Sequence, residues 1–352
     1  MGWSYAPPAR PAVLLPAALR CVLPVLPGLA AALLVAVPAA LLGALLPVVG
    51  GPVFGIAAGA AAGPLLRRHL PERHLRRLLP GFAAAGKQVL QASVVVLGAG
   101  LSLGEVVRVG GQSLPVMAGT LTVALGGAWA LGRLLGVHRE AALLIGVGTG
   151  ICGASAIAAV TAVTGPAKDR VAYALGTIFT FNIAAVLLFP PLGHLLGLSQ
   201  EGFGLWSGTA VNDTSSVVAA SYAYGATAGA YAVVVKLTRS LMIVPVCLVL
   251  QARKGPKGRP PGRRLRQVFP LFILAFLAAS TVASLGGVPA SWHPQISALS
   301  AFLITVALTG IGLSLDLSQV RAAGVRPLLL GALLWLAVAT TGLGLQVLTG
   351  QL

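Results

Sequence analysis

Apolar runs of roughly twenty residues recur along this chain from one end to the other, and few of them contain a charge. As helices, such runs are long enough to cross the hydrocarbon core of a bilayer, which is about 30 Å thick. Only helices and closed barrels satisfy every backbone hydrogen bond in lipid. A barrel would show short segments of alternating polarity, whereas these runs are continuously apolar. The chain therefore reads as an all-α polytopic membrane protein. Of its 352 residues, 57% are apolar and 9% charged, against about 25% charged in a soluble domain.

Plain spans are expected near 28–48, 51–66, 82–103, 114–135, 171–193, 229–250, 267–286, 296–315 and 327–348. Two further segments, 141–164 and 203–223, are apolar but interrupted by glycines and polar clusters. The expectation is thus 9–11 transmembrane segments, two of them broken or re-entrant. Residues 1–27 are a proline-rich lead-in, and a membrane domain follows over 28–251. A basic loop occupies 252–266, and the remaining spans fill 267–352.

The net charge of +17 would suit nucleic acid. Its distribution argues against that partner. Arg67, Arg68, Arg73, Arg76 and Arg77 crowd one loop, while Arg253, Lys254, Lys257, Arg259, Arg263, Arg264 and Arg266 crowd another. No aromatic residues interleave them to stack on bases. Basic clusters between spans mark cytoplasmic loops, so 67–77 and 252–266 are expected inside a bacterial inner membrane. Cys21, Cys152 and Cys247 have no metal or redox spacing. The five histidines lie near expected loops and form no metal constellation. No phosphate-cradling glycine motif occurs. Neither a cofactor nor an enzymatic activity is expected.

Two internal matches organise the chain. Gly100-Leu101-Ser102-Leu103 pairs with Gly312-Leu313-Ser314-Leu315, and each is followed by an acid, Glu105 or Asp316. With both basic loops inside, the spans that end in these motifs run in opposite directions, as an inverted repeat requires. The second match is weaker: Gly148-Thr149 and Ser155 through Ala159 resemble Gly208-Thr209 and Ser215 through Ala219. These elements lie in the two interrupted segments. If both segments cross fully, Lys168 and Arg170 fall outside. If both are hairpins entering from opposite faces, the charge rule is better obeyed.

The chemistry concentrates in those interruptions. Gly148, Gly150 and Gly153 weaken a continuous helix. A break exposes backbone N–H groups at a new helix N-terminus, and these attract anions. Thr149, Gly150, Cys152 and Ser155 are the candidate ligands there. A small-residue packing seam would give the same glycine pattern. The second interruption holds Asn212, Asp213, Thr214, Ser215 and Ser216, five polar side chains in a row. Asp213 is the only carboxylate deep inside an apolar segment, and ionisable groups at such depth are rare and usually functional. It is the candidate carrier of a coupling ion or proton. Lys236 and Arg239 are three residues apart and share one helix face. They are candidates to hold an oxyanion. A purely structural intramembrane ion pair or snorkelling toward an interface are the alternatives. Lys87, with Gln88 and Gln91 beside it, is read as an interfacial anchor, and Asn182, Thr177 and Thr180 as helix–helix hydrogen-bond partners.

In combination, Gly148–Ala159, Asn212–Ala220 and Lys236-Leu237-Thr238-Arg239 resemble the signature motifs of the bacterial YeiH-like sulfate exporter family. The resemblance spans about residues 40–350. Many members carry a histidine before the acid and Ala-Gln-Val after it, where this chain has Asn212 and Thr-Ser-Ser. That departure keeps the acid and separates the substrate question from the family label. The family is similar to the wider group of NhaA-type antiporters and bile-acid symporters. This implies a core domain with two broken helices that moves against a scaffold, often in a homodimer.

The leading expectation is a secondary active transporter of a small anion such as sulfate, coupled to a proton or to sodium through Asp213. The alternatives are a cation/proton antiporter built on Asp213, with oxygen ligands suited to a hard cation, and a non-transporting membrane sensor or scaffold. An intramembrane enzyme would need a nucleophile–base pair, and no histidine lies deep in a span.

Overall fold

The computed structural model describes residues 23–45, 50–253, 271–315 and 324–352. Cys21, Asp316, most of the lead-in and the basic residues from Lys254 to Arg266 lie outside the described residues. All regular structure described is helical. In chain order the helices are α1 (Leu26–Leu45), α2 (Gly51–His69), α3 (Glu72–Ala99, through a π-helical turn at Ala85–Val89) and α4 (Leu103–Leu134). Next come α5 (Arg139–Gly150), α6 (Ala154–Thr164), α7 (Lys168–Leu195), α8 (Gln200–Ala210) and α9 (Thr214–Tyr224). The rest are α10 (Ala226–Ser240), α11 (Ile243–Arg253), α12 (Leu271–Ser284), α13 (His293–Ser314) and α14 (Val325–Thr349). Seven runs among the described residues are long and apolar enough to cross a membrane, with α10 and α11 counted as one.

Local chemistry sets the helix ends. Ser102 and Glu105 form a reciprocal capping box at the start of α4, so Glu105 is a cap. Ser199 caps α8 through Gly202 N–H, and His138 Nδ1 accepts from Glu140 N–H at the start of α5. Gly165 ends α6 with a left-handed φ of 64°, which suits a residue without Cβ.

The helices fall into two bodies. α1, α2, α3, α12 and α13 pack mainly among themselves, and α4 to α11 pack with α14. Within the first body, α2 lays Gly51, Gly55, Gly59 and Gly63 along α13. A Cβ at Gly59 would sit 2.5 Å from the Thr309 carbonyl oxygen. The glycine spacing thus permits backbone-to-backbone approach, the way helices associate where no hydrophobic effect drives them together. Among the described residues the main bridges between the bodies are α9 against α2 and α13, and α12 against α4.

Chain direction follows from the contacts. Arg67 donates to the Leu315 carbonyl, joining the ends of α2 and α13 at one face. Gly136 lies against Arg326 at that face. At the other, Leu103 N–H donates to Ser284 Oγ and Ser199 Oγ to the Leu352 carbonyl. Arg67, Arg68, Arg73, Arg76, Arg77, Arg133 and Arg139 therefore share a basic face. The 82–103 and 296–315 spans run oppositely, as the repeated Gly-Leu-Ser-Leu motif required.

Both interrupted segments turn back on themselves. Ser207 and Ser221 hydroxyls meet at 2.7 Å across the α8–α9 break, and Phe203 stacks on Tyr224 with centroids 3.9 Å apart. Gln200 Nε2 donates to the Tyr224 carbonyl at 3.4 Å, which ties both ends of this hairpin together at the far face. In the other hairpin Gly148 lies against Ile157. α6 packs on α11, whose C-terminus points to the basic face. α7 then runs from the basic face, where Thr177 meets Gly331, to the far face, where Gly193 meets Phe203. Lys168 and Arg170 thus join the other arginines, the arrangement that better fits the charge rule.

Candidate functional site

The tips of the two hairpins touch. Gly153 has φ 65° and ψ −129°, a region open essentially to glycine alone. A Cβ there would meet Asp213 Cβ at 3.3 Å and Asp213 Cα at 3.4 Å. The two residues hold equivalent places in the internal match, so the repeated motifs meet at the tips. Asp213 caps α9: its carboxylate accepts from Ser215 N–H at 3.1 Å and from the Ser215 hydroxyl. Its own N–H donates to Asn182 Oδ1 at 3.3 Å. By contrast α6 starts at a glycine and has no side-chain cap, which leaves its N-terminal amides available to a ligand.

Thr214, Ser215 and Ser216 are half-buried beside Asp213, and Ser155 on α6 is exposed. Asn212 is buried, with an Oδ1 that no donor reaches. Cys152 is a buried free thiol at the first tip. Thr149 is also buried, and its carbonyl rather than its hydroxyl makes the notable contact.

The two cations sit differently from a pair awaiting an anion. Lys236 Nζ donates to the carbonyls of Ile151 and Val211, each at 2.9 Å. Arg239 Nε donates to the Gly150 carbonyl at 2.7 Å, Nη2 to Thr149 at 3.0 Å, and Nη1 to Thr209. Ile151 and Val211 are equivalent positions in the two hairpins, as are Thr149 and Thr209. The C-termini of α5 and α8 each present unpaired carbonyls and about half a negative charge. Buried in the protein, those carbonyls would be costly without donors. Lys236 and Arg239, both wholly buried, supply them. Two donors of Lys236 and three of Arg239 are thus engaged by backbone carbonyls. Snorkelling is excluded by their burial, and neither pairs with Asp213 among the described residues.

Other expectations resolve as follows. Lys87 and Gln88 are exposed on α3. Thr177 and Thr180 hydroxyls donate to Tyr173 and Gly176 of their own helix, not across helices. Asn182 is the residue that sequence reasoning underrated, because its position midway along α7 looked like one more interhelical contact. No group of metal-ligating side chains occurs among the described residues.

Comparison with known proteins places the chain among membrane proteins. The family model described as Conserved hypothetical protein 698 matches residues 27–331. A UPF0324 membrane protein of Streptococcus pyogenes serotype M6 is 42% identical over 336 residues, covering 92% of this chain and 97% of that protein. A UPF0324 membrane protein of Streptococcus pneumoniae strain R6 is 41% identical over 333 residues, with the same coverage. One from Streptococcus agalactiae serotype V is 40% identical over 336 residues. The chain belongs to this family of polytopic UPF0324 membrane proteins.

Proposed function

We propose that this chain is a secondary active transporter of a small oxyanion, coupled to a proton or cation at Asp213, with its basic face in the cytoplasm of a bacterial inner membrane. The observation that carries the reading is the contact of two opposed hairpin tips around Gly153 and Asp213. Irregular backbone at membrane depth is tolerated where it is buried or lines a cavity. Opposed broken elements around a midplane site are a recurrent transporter design.

Electrostatics favours an anion. Each helix end carries about half a charge, so the C-termini of α5 and α8 together contribute about −1, and the N-termini of α6 and α9 about +1. Lys236 and Arg239 outweigh the carbonyls they bind. With Asp213 ionised the tips carry a net charge of about +1, and with Asp213 protonated about +2. Protonation therefore strengthens the attraction for a divalent oxyanion, which is the coupling. The uncapped α6 amides and the Ser155, Thr214 and Ser216 hydroxyls are the direct ligands. Lys236 and Arg239 act on the anion through the field, not by contact. The first body of helices serves as scaffold and the second as the moving part, consistent with the few contacts between them.

Radiolabelled sulfate flux in proteoliposomes under an imposed pH gradient tests this. Wild type should show gradient-dependent flux, and Asp213→Asn should lose the dependence on pH. Full pH-dependent transport by that variant would remove Asp213 from the mechanism. One observation favours a second reading, a cation/proton antiporter: the buried Asn212 Oδ1 lacks a donor and lies beside a carboxylate, a pairing of oxygens that suits a hard cation. Thermal stabilisation by sodium but not by sulfate would select it.

A further inference from the structure

A cavity of about 860 Å³ lies away from the hairpin tips, between α4, α5 and α11. Its wall is apolar over most of its length: Leu121, Leu125, Leu143, Val246 and Leu250 line it, with Gly126 leaving one side open. Arg133 and Arg139 also line it, and both belong to the basic face. The Arg133 guanidinium lies 5.4 Å from the centroid of the exposed Trp129 ring. Neither arginine has an acidic partner among the described residues. Glu140, next to Arg139 in sequence, is half-buried and pairs with neither.

We propose that this cavity binds one anionic phospholipid. The distribution of charge selects the occupant. From Leu121 to Arg133 the α4 wall runs about 18 Å along the helix axis, a depth suited to an acyl chain lying parallel to the helices. Two unpaired guanidiniums then stand where a headgroup phosphate would sit, and Trp129 lies at the level that indole rings favour between lipid tail and water. Basic pockets between spanning helices at the cytoplasmic side take acidic headgroups in this way. The opposite wall, α5, is the leg of the first hairpin whose C-terminal carbonyls hold Arg239. The lipid therefore braces the element that carries one half of the tip site. The binding itself stands without the transport reading.

The test uses the full chain purified in detergent, titrated with dioleoylphosphatidylglycerol or dioleoylphosphatidylcholine and read by native mass spectrometry. Wild type should retain one phosphatidylglycerol roughly thirtyfold better than phosphatidylcholine, the scale expected for two arginines near a surface. A Cβ at Gly126 would meet nothing within 4 Å, so Gly126→Leu should project into the cavity, keep the melting temperature and weaken retention of the lipid. Arg133→Gln with Arg139→Gln should retain the two lipids alike. Equal retention of both lipids by wild type would overturn the proposal, as would undiminished phosphatidylglycerol on Gly126→Leu. If Gly126→Leu instead turned a dimer into a monomer with lipid retention unchanged, the cavity would be an interface between copies and the proposal would fail.

Discussion

Replacing Arg239 by methionine should unfold this protein more readily before it tells anything about substrate. The side chain is wholly buried and its three nitrogens serve the carbonyls of Thr149, Gly150 and Thr209. Methionine fills much of the volume and donates nothing. Each orphaned buried carbonyl costs about 1–3 kcal/mol. Part of the total is offset because a guanidinium is no longer held away from water, and breaking buried charged networks costs about 3–5 kcal/mol net. A loss of about 4 kcal/mol corresponds to a fall in melting temperature on the order of 10 °C. Arg239→Lys keeps the charge but not the fork, so it should fall between wild type and Arg239→Met. The assay is thermal unfolding of detergent-purified protein followed by fluorescence-detected size exclusion. If Arg239→Met melts within about 2 °C of wild type while transport disappears, the arginine is a substrate ligand and the bridging role argued here is wrong.

Further outcomes follow from the same contacts. Gly153→Ala forces a residue with Cβ into a backbone region nearly reserved for glycine and should cost about 1–3 kcal/mol, read as a melting shift with impaired transport. Gly59→Leu drives a side chain into the α13 backbone at Thr309 and should lower expression and melting temperature far more than Gly111→Leu on α4, where nothing lies within 4 Å. Ser102→Ala removes one half of the α4 capping box and should cost about 1 kcal/mol without changing transport per folded molecule. Asp213→Asn should leave the melting temperature near wild type, since asparagine also caps helices, while abolishing pH dependence of flux.

Much of this architecture is legible in the residues. Apolar runs with few charges give the spans, because lipid admits little else. Boundaries shift where helices extend past the apolar core: α3 begins at Glu72, ten residues before the expected span, since Arg73, Arg76 and Arg77 continue it beyond the hydrocarbon. The breaks were visible as glycine clusters. Their re-entrant path was favoured by the charge rule but not fixed by the glycines, because a glycine that ends a helix does not say which way the chain leaves. Only contacts such as Ser207 with Ser221 decide that. The task of Lys236 and Arg239 was hidden for a related reason. Sequence counts side-chain charges, whereas the negative partners here are backbone carbonyls, which carry no letter. The glycine seam of α2 could have been read from its spacing of four, at Gly51, Gly55, Gly59 and Gly63.

Sidedness of two loops probes the opposed hairpins most directly. In a background with Cys21, Cys152 and Cys247 replaced, single cysteines are placed at Ala167, Leu196 and, as reference, Arg73, all exposed. A membrane-impermeant maleimide is then applied to vesicles of each orientation. Ala167→Cys should react from the same side as Arg73→Cys, and Leu196→Cys from the other. If Leu196→Cys reacts with the Arg73 side and Ala167→Cys with the opposite side, both segments cross the membrane fully and the meeting of tips at Gly153 and Asp213 cannot stand.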